Sequence, residues 1–334
     1  MRVAVVGASG AVGQELLRLF EERALPISEL MLYASARSAG KTTEALGRSF
    51  TLRALPEDGN LHADVVFSSA GGSISQAHAW RWAEHGATVI DNTSAHRMDP
   101  RVPLVVPEIN PDAARTHQGI IANPNCSTII ALMALAPLHR AFGLTRATVA
   151  TYQAVSGAGA TGIGELDSQT REVLRGGRPT PQKFAHPIAF NLFSHDSEVG
   201  EDGYNQEERK LTLESRKILT APDLRVSATC VRVPVFRAHS EAIHAEFARP
   251  VNETEAREVL CRAPGLRLVD DRATNHFPMP LEAEGKDEVL VGRLREDASL
   301  PGALALFVAG DQIRKGAALN ALQIAELLYG EGAA

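Results

Sequence analysis

Arg2-Val3-Ala4-Val5-Val6-Gly7-Ala8-Ser9-Gly10-Ala11-Val12-Gly13 opens the chain, and its reading decides the fold. Arg2–Val6 is a short apolar run that predicts a buried strand. Glycines follow at 7, 10 and 13, and then a helical pattern with Val12, Leu16, Leu17 and Phe20 on one face. A strand, a glycine turn and a helix in this order suit a dinucleotide. The tight turn lets backbone approach a pyrophosphate, and the helix N-terminus aims its dipole at that charge. Gly7, Ser9, Gly10, Ala11, Val12 and Gly13 are the candidate cofactor contacts. The plain alternative is a glycine-rich turn without a ligand. The strand before it and the helix after it favour binding.

A second strand is expected at Glu29–Ala34, ending in Ser35-Ala36-Arg37-Ser38-Ala39-Gly40-Lys41. Sites for NAD usually place an acid near this strand end to hold the ribose 2′-hydroxyl. Here Ser35, Arg37, Ser38 and Lys41 stand instead, donors suited to a 2′-phosphate, so NADP is favoured over NAD. A solvated basic loop is the alternative. Ala63–Phe67 is the next strand. Its exit turn contributes Ala70, Gly71 and Gly72 as further cofactor contacts before a helix from about Ile74 to His85. Ala87–Asp91, Leu104–Glu108 and Gly119–Ala122 complete a set of strands. Arg97, just past one strand end, lies where α/β sheets bind ligands, although most arginines are only surface charge. Strands alternating with helices imply an α/β, Rossmann-like doubly wound parallel sheet over residues 1–125.

Asn123-Pro124-Asn125-Cys126-Ser127-Thr128 joins the last of these strands to an apolar helix running through Leu135. Cys126 therefore sits at or next to the first residue of a helix. Unpaired N–H groups and the positive dipole end there favour thiolate over thiol. Such a cysteine is either a nucleophile or a buried structural residue.

The pattern changes after about Leu144. A long strand of mixed polarity, 146–155, carries Gln153 near its end, and the loop Ser156–Gly162 follows. Gln153 can bond a substrate carbonyl or carboxylate, or tie down its own turn. Residues 177–200, rich in Pro, Gly, His and Asn, read as a long ordered excursion. An amphipathic helix from Gln206 to about Leu219 places Glu207 and Lys210 on one face. Two long strands follow, Leu224–Val235 and Ser240–Ala248. Arg232 lies in the first and needs an anionic partner if buried. His239, at the start of the second, can serve as an acid or base. Strands at 289–294 and 304–308 and a closing helix at 316–329 complete the chain. The second part is thus an α+β domain over 126–313 with a mixed, largely antiparallel sheet. Such a sheet needs its open face covered, commonly by a partner subunit. The C-terminal segment 314–334 is expected to complete the first domain.

At 334 residues the chain has room for two cores. Its net charge of −6 gives no general field for nucleic acid or an anionic membrane. A strand expected from Arg2 leaves no room for a signal peptide, and no run of 18 or more apolar residues is present. The three cysteines, Cys126, Cys230 and Cys261, make neither a disulfide framework nor a zinc pattern. A reducing cytoplasm is the expected setting, and no metal is expected.

Together, a nucleotide cofactor, a thiolate, a histidine and several cations suggest that a thiolate attacks an activated acyl group, which is then reduced. The chain resembles the aspartate-β-semialdehyde dehydrogenase family almost end to end. The resemblance is carried by GASGAVG (7–13), ASARSAGK (34–41), NPNCST (123–128), YQAVSGAG (152–159), EERK (207–210), SATCVRVPVFRAHSE (227–241) and RKGAALNALQIAE (314–326). It implies NADPH-dependent reductive dephosphorylation of β-aspartyl phosphate to aspartate semialdehyde, a step toward lysine, methionine and threonine. It further implies Cys126 as nucleophile, His239 as its acid/base partner and Gln153 as the residue orienting the substrate. Arg97, Asn125 and Lys210 match phosphate-binding positions. Arg232 matches the grip on the α-carboxylate, and Glu207 the acid facing the α-amino group. Ser156, Gly157 and Asn320 join the implied cofactor contacts. A homodimer, or a tetramer built from it, is implied as the assembly. No catalytic position departs from the family's pattern.

The nearest rival is an N-acetyl-γ-glutamyl-phosphate reductase, whose acylated amine carries no charge and has no use for Glu207. A non-catalytic nucleotide-binding relative would be expected to lose Cys126. Both are weaker readings.

Overall fold

Val3, Val5 and Val6 are β-branched and inaccessible to solvent, as suits a strand covered on both faces. The computed structural model describes residues 1–23, 25–56 and 58–330. The chain divides into two units, Met1–Asn125 with Ala317–Ala334, and Cys126–Gly316. The last four residues of the expected closing segment, 331–334, lie outside the described residues.

The first unit runs β1 (Arg2–Val6), α1 (Ala11–Glu22), β2 (Glu29–Tyr33), β3 (Thr42–Ala45), β4 (Arg48–Thr51), β5 (Val65–Ser68), α2 (Gly72–Glu84), β6 (Thr88–Asp91) and β7 (Ile120–Ala122). Its five-stranded sheet has the order β2-β1-β5-β6-β7 and is parallel throughout. The order reverses beside β1, so the crevice at the carboxyl ends of β1 and β5 is a topological switch point. Leu104–Glu108 is not a strand, contrary to expectation. Leu104 makes only a bridge to Ala122, and Pro103 and Pro107 remove the donors a longer ladder needs. The β3–β4 hairpin was not expected, because its polar residues carry no clear apolar alternation.

The second unit holds α3 (Cys126–Phe142), β8 (Leu144–Gln153), α4 (Ala160–Leu174), β9 (Phe193–Ser194), α5 (Gln206–Ile218), β10 (Arg225–Arg232), β11 (His239–Phe247), α6 (Glu253–Arg262), β12 (Leu266–Leu268), α7 (Pro280–Ala283), β13 (Val289–Glu296) and β14 (Leu304–Gly310). The sheet order is β12-β13-β14-β11-β8-β10-β9. The pairs β12–β13 and β8–β10 are parallel and the others antiparallel, so the sheet is mixed and largely antiparallel. One face packs on α3. There the inward residues of β8, Ala147, Val149 and Thr151, are buried, while Tyr152 on the other face is 40% exposed. A short 3-10 turn, Val155–Ala158, and the start of α4 stand where a loop was expected at Ser156–Gly162, and the rest of α4 carried no expectation. Gly162 and Gly164 hide that helix from a propensity argument.

A π-helical turn at Arg314–Ala318 leads into α8 (Leu319–Tyr329). Leu319, Leu322 and Ile324 of α8 share a core cluster with Val3, Val5, Leu16 and Phe67. Arg23 and Glu326 form an ion pair at 2.7 Å over it. Among the described residues no helix is long and apolar enough to cross a membrane.

Candidate active site

Strand register builds the site in the second unit. Gln153 ends β8 and pairs with Arg232, the end of β10. His239 begins β11, whose next residue, Ser240, pairs with Tyr152, so His239 stands beside Gln153. Three polar side chains are thus presented from one edge of three adjacent strands. Cys126 is the first residue of α3, and its Sγ lies 3.5 Å from Nε2 of His239.

His239 is fully buried. Its Nδ1 accepts a hydrogen bond from the backbone N–H of Ala154 at 3.0 Å. Burial lowers its pKa to about 3, with the Arg232 guanidinium acting in the same direction. Ala238, just before it, has φ +71 and is held by a hydrogen bond from its N–H to Oε1 of Gln312 at 2.8 Å. Gln312 Nε2 also donates to Ser156 Oγ. Gly157 lies against both Arg232 and His239. A Cβ there would stand 3.2 Å from Nη1 of Arg232 and 3.4 Å from the His239 ring.

Arg232 is 3% exposed. It donates from Nη1 to Ala154 O at 2.9 Å and from Nη2 to His195 Nε2 at 2.9 Å, with Asp196 at 3.6 Å. Its Nε is buried and has no hydrogen-bond partner among the described residues. A buried guanidinium N–H left in this state needs an acceptor, and a carboxylate fits the fork. Glu207, in the first turn of α5, accepts from Gln153 Nε2 at 3.1 Å and pairs with Lys210 at 2.9 Å. A capping box of Asn205 and Glu208 fixes that helix start. Gln153 Oε1 also accepts from Thr151 Oγ1 at 3.1 Å. Behind this row, Glu241 is fully buried, and neither carboxyl oxygen has a hydrogen-bond partner among the described residues. Burial holds its pKa well above the ordinary value, and Glu207 adds to the rise.

The second unit therefore brings together Cys126, Gln153, Glu207, Lys210, Arg232 and His239. It adds His195, Asp196, Glu241 and Gln312, which sequence reasoning did not single out. His195 and Asp196 fall in the 177–200 excursion, whose richness in polar residues was the one available signal. Ser156 and Gly157 belong to this unit, apart from the other cofactor candidates.

In the first unit, Gly7 has φ +97, and a Cβ on it would stand 2.8 Å from the Ser69 carbonyl carbon. A Cβ on Gly13 would stand 2.4 Å from Gly7 O. The turn can be this tight only with glycine. Gly10 caps α1 with no side-chain bond, no acid stands in its first turn, and Ser9 and Gly10 are exposed. This cradle fits a pyrophosphate at a helix N-terminus. Ala11 and Val12 form the first turn of that helix. Gly71 caps α2 with φ +103, preceded by Ala70 and followed by Gly72. Ser35, Arg37 and Lys41 are exposed beyond β2, with Ser38 half-buried. Asn320 is fully buried and donates to Val105 O at 3.0 Å and Asn123 Oδ1 at 2.6 Å, so its amide N–H groups serve the interior of the unit. Arg97 is 8% exposed and donates to Asn123 O at 2.9 Å and Asn92 O at 3.0 Å. Asn125 is buried at the end of this unit.

A dinucleotide cradle in one unit and a thiol–imidazole pair in the other define a semialdehyde dehydrogenase. Residues 2–117 match the family model "Semialdehyde dehydrogenase, NAD binding domain", and 135–315 match "Semialdehyde dehydrogenase, dimerisation domain". Aspartate-semialdehyde dehydrogenase of Synechocystis sp. is 53% identical over 99% of this chain and 98% of its own length. The crystal structure of aspartate semialdehyde dehydrogenase II from Vibrio cholerae complexed with ASA superposes with a TM-score of 0.94 at 44% identity, covering 98% of this chain and 97% of that one. The Candida albicans enzyme, solved with NADP, gives a TM-score of 0.75 at 26% identity over 99% and 98% of the two chains. The chain belongs to the aspartate-semialdehyde dehydrogenase family.

Proposed function

We propose that the chain reductively dephosphorylates β-aspartyl phosphate to aspartate semialdehyde and phosphate, with NADP as its redox partner. The observation that carries this is the 3.5 Å approach of Cys126 Sγ to His239 Nε2 at the start of α3. Residues 1–125, completed by α8, form the nucleotide-binding domain, and residues 126–313 the catalytic and dimerisation domain. The glycine cradle at 7–13 and the turn at 70–72 receive the pyrophosphate. Ser35, Arg37 and Ser38 supply donors for a 2′-phosphate, and Ser156 and Gly157 complete the contacts. When bound, the cofactor gives or takes the hydride.

Cys126 attacks the acyl carbon, and the thioester splits a hard reduction into two easier steps. Arg232 grips the α-carboxylate through its buried Nε and planar fork. Glu207 faces the α-amino group, and Gln153 orients the substrate from beside it. Lys210, Arg97 and Asn125 supply cationic and amide donors for the phosphate. The family model names the second domain for dimerisation, and the sheet face bearing Tyr152 is open to a second copy of the chain. A homodimer across that face is the assembly this supports.

Cys126→Ser tests the reading. Phosphate-dependent reduction of NADP with aspartate semialdehyde is expected to vanish while NADP still binds. Turnover near the wild-type rate would remove Cys126 from the chemistry.

A further inference from the structure

A guanidinium has no acceptor and keeps its charge in a protein. Arg232 Nη2 therefore donates to Nε2 of His195 at 2.9 Å, and that ring nitrogen must offer a lone pair. The single proton of the neutral ring then sits on Nδ1, 3.1 Å from Ser197 Oγ. The Ser197 nitrogen is 3.2 Å from the same Nδ1, but a protonated ring nitrogen accepts nothing, so the hydroxyl is its partner. Ser197 Oγ also accepts from the Glu207 N–H at 3.2 Å. Backbone pairing fixes where the ring starts. Phe193 of β9 stands opposite Arg232, and the His195 N–H donates to Cys230 O at 2.8 Å. The imidazole is 13% exposed. Burial lowers its pKa, Arg232 and Lys210 act the same way, and Glu207 and Asp196 oppose them. The guanidinium is held at three points. Nη1 bonds Ala154 O at 2.9 Å, Nη2 bonds His195, and Cζ lies 5.7 Å from the centre of the Phe184 ring. Without His195, the nearest group to Nη2 is Asp196 at 3.6 Å, too far for a hydrogen bond. The plane could then turn about the Cδ–Nε bond.

We propose that His195 is a positioning residue for substrate recognition. Through Nε2 it sets the plane of Arg232 toward the α-carboxylate. Through Ser197 it ties that setting to the start of α5, where Glu207 faces the α-amino group. The inference rests on the reading of Arg232 as the carboxylate grip. Each terminal guanidinium nitrogen carries two N–H bonds, so the one given to His195 leaves a second for a ligand. The buried Nε–H, which has no partner among the described residues, supplies another donor. The carboxylate thus meets a fork whose plane is already fixed, and binding has less ordering left to do. The short run His195–Ser197 holds both groups that grip substituents of the substrate's α-carbon. His195 takes no part in making or breaking bonds, so its effect falls on substrate binding.

The test is steady-state kinetics of phosphate-dependent NADP reduction by three full-length variants. Glutamine places a carbonyl oxygen near the position of Nε2 and keeps an acceptor for Arg232. His195→Gln should therefore hold KM for aspartate semialdehyde within about threefold of wild type. Asparagine is one bond shorter, so it reaches Ser197 but not Arg232. His195→Asn and His195→Leu should each raise that KM about tenfold or more, with a smaller change in kcat. KM for inorganic phosphate, which uses other residues, should stay within about twofold in all three. Equal KM values for aspartate semialdehyde in the glutamine and asparagine variants overturn the proposal, even if the leucine variant does not fold. A KM for phosphate that rises in step with that for aspartate semialdehyde also overturns it, because the damage is then general. An unmoved KM in Arg232→Lys would sink the carboxylate grip and this proposal with it. A raised KM in Arg232→Lys beside an unmoved one in His195→Asn sinks the role of His195 alone.

Discussion

Gln153 Nε2 lies 3.1 Å from Glu207 Oε1, joining the end of β8 to the first turn of α5. Lys210 holds the other carboxylate oxygen at 2.9 Å. Glu207 is thus fixed from two sides, and it is 5% exposed. Lys210 is one cation on this carboxylate, and on the proposed reading the free α-amino group of the substrate is a second.

Glu207→Gln keeps the size and removes the charge. A hydrogen bond to a charged group contributes about 1.5–3 kcal/mol, so KM for aspartate semialdehyde should rise roughly tenfold to a hundredfold. The turnover number should change less. Steady-state kinetics checks this, and an unmoved KM would place the amine elsewhere.

Arg232→Lys replaces a planar fork by a point charge. Nη1 and Nη2 are already engaged by Ala154 and His195, and Nε is buried without a hydrogen-bond partner among the described residues. Lysine cannot reproduce the bonds to Ala154 and His195 and a bidentate grip together. KM should rise about tenfold or more. Equal KM values for the variant and the wild type would argue against carboxylate binding here.

Gly13→Ala forces a methyl group to within 2.4 Å of Gly7 O and 2.7 Å of Ala8 Cα, both rigid backbone. Overpacking of this kind costs about 1–3 kcal/mol. The variant should melt at a lower temperature and bind NADP more weakly. Thermal denaturation with and without NADP measures both effects, and a melting curve unchanged in both conditions contradicts the cradle.

Glu241→Gln tests the buried acid behind the site. The folded pKa of Glu241 is raised above its ordinary value of 4.5, so the folded state binds the proton more tightly than the unfolded chain does. The stability this contributes is complete below about 4.5 and is lost as pH rises toward the folded pKa, by at most about 1.4 kcal/mol per pH unit. The glutamine variant has no proton to lose. Its melting temperature should fall less than that of the wild type as pH rises from about 5 to about 8. Parallel curves would show that Glu241 ionises freely in the fold.

Much of this was legible in local pattern. The run from Arg2 to Gly13 announces strand, turn and helix because each step is carried by adjacent residues. Cys126 is readable because a strand and a helix meet beside it. Arg232 stands out as a charge in an apolar strand. What escaped is what depends on sheet register. Ala154 carries no chemistry in its side chain, yet its N–H and carbonyl join His239 to Arg232, residues 85 and 78 positions away. Gln312 supports the backbone before His239 from 74 residues away. Leu104–Glu108 was misread because its apolar character masked the two prolines. The α4 helix was missed because Gly162 and Gly164 sit where Gly162 must pass close to Val155 O, at 2.5 Å from a notional Cβ.

The pairing of both chain ends in one core has a consequence for synthesis. Val3 and Leu16 leave the ribosome long before Leu319 and Ile324, which pack in the same cluster. The nucleotide-binding half must therefore wait, incomplete, while the uninterrupted middle of the polypeptide emerges and folds. A nascent chain stalled before α8 would already hold its sulfur and imidazole but have no finished seat for a dinucleotide.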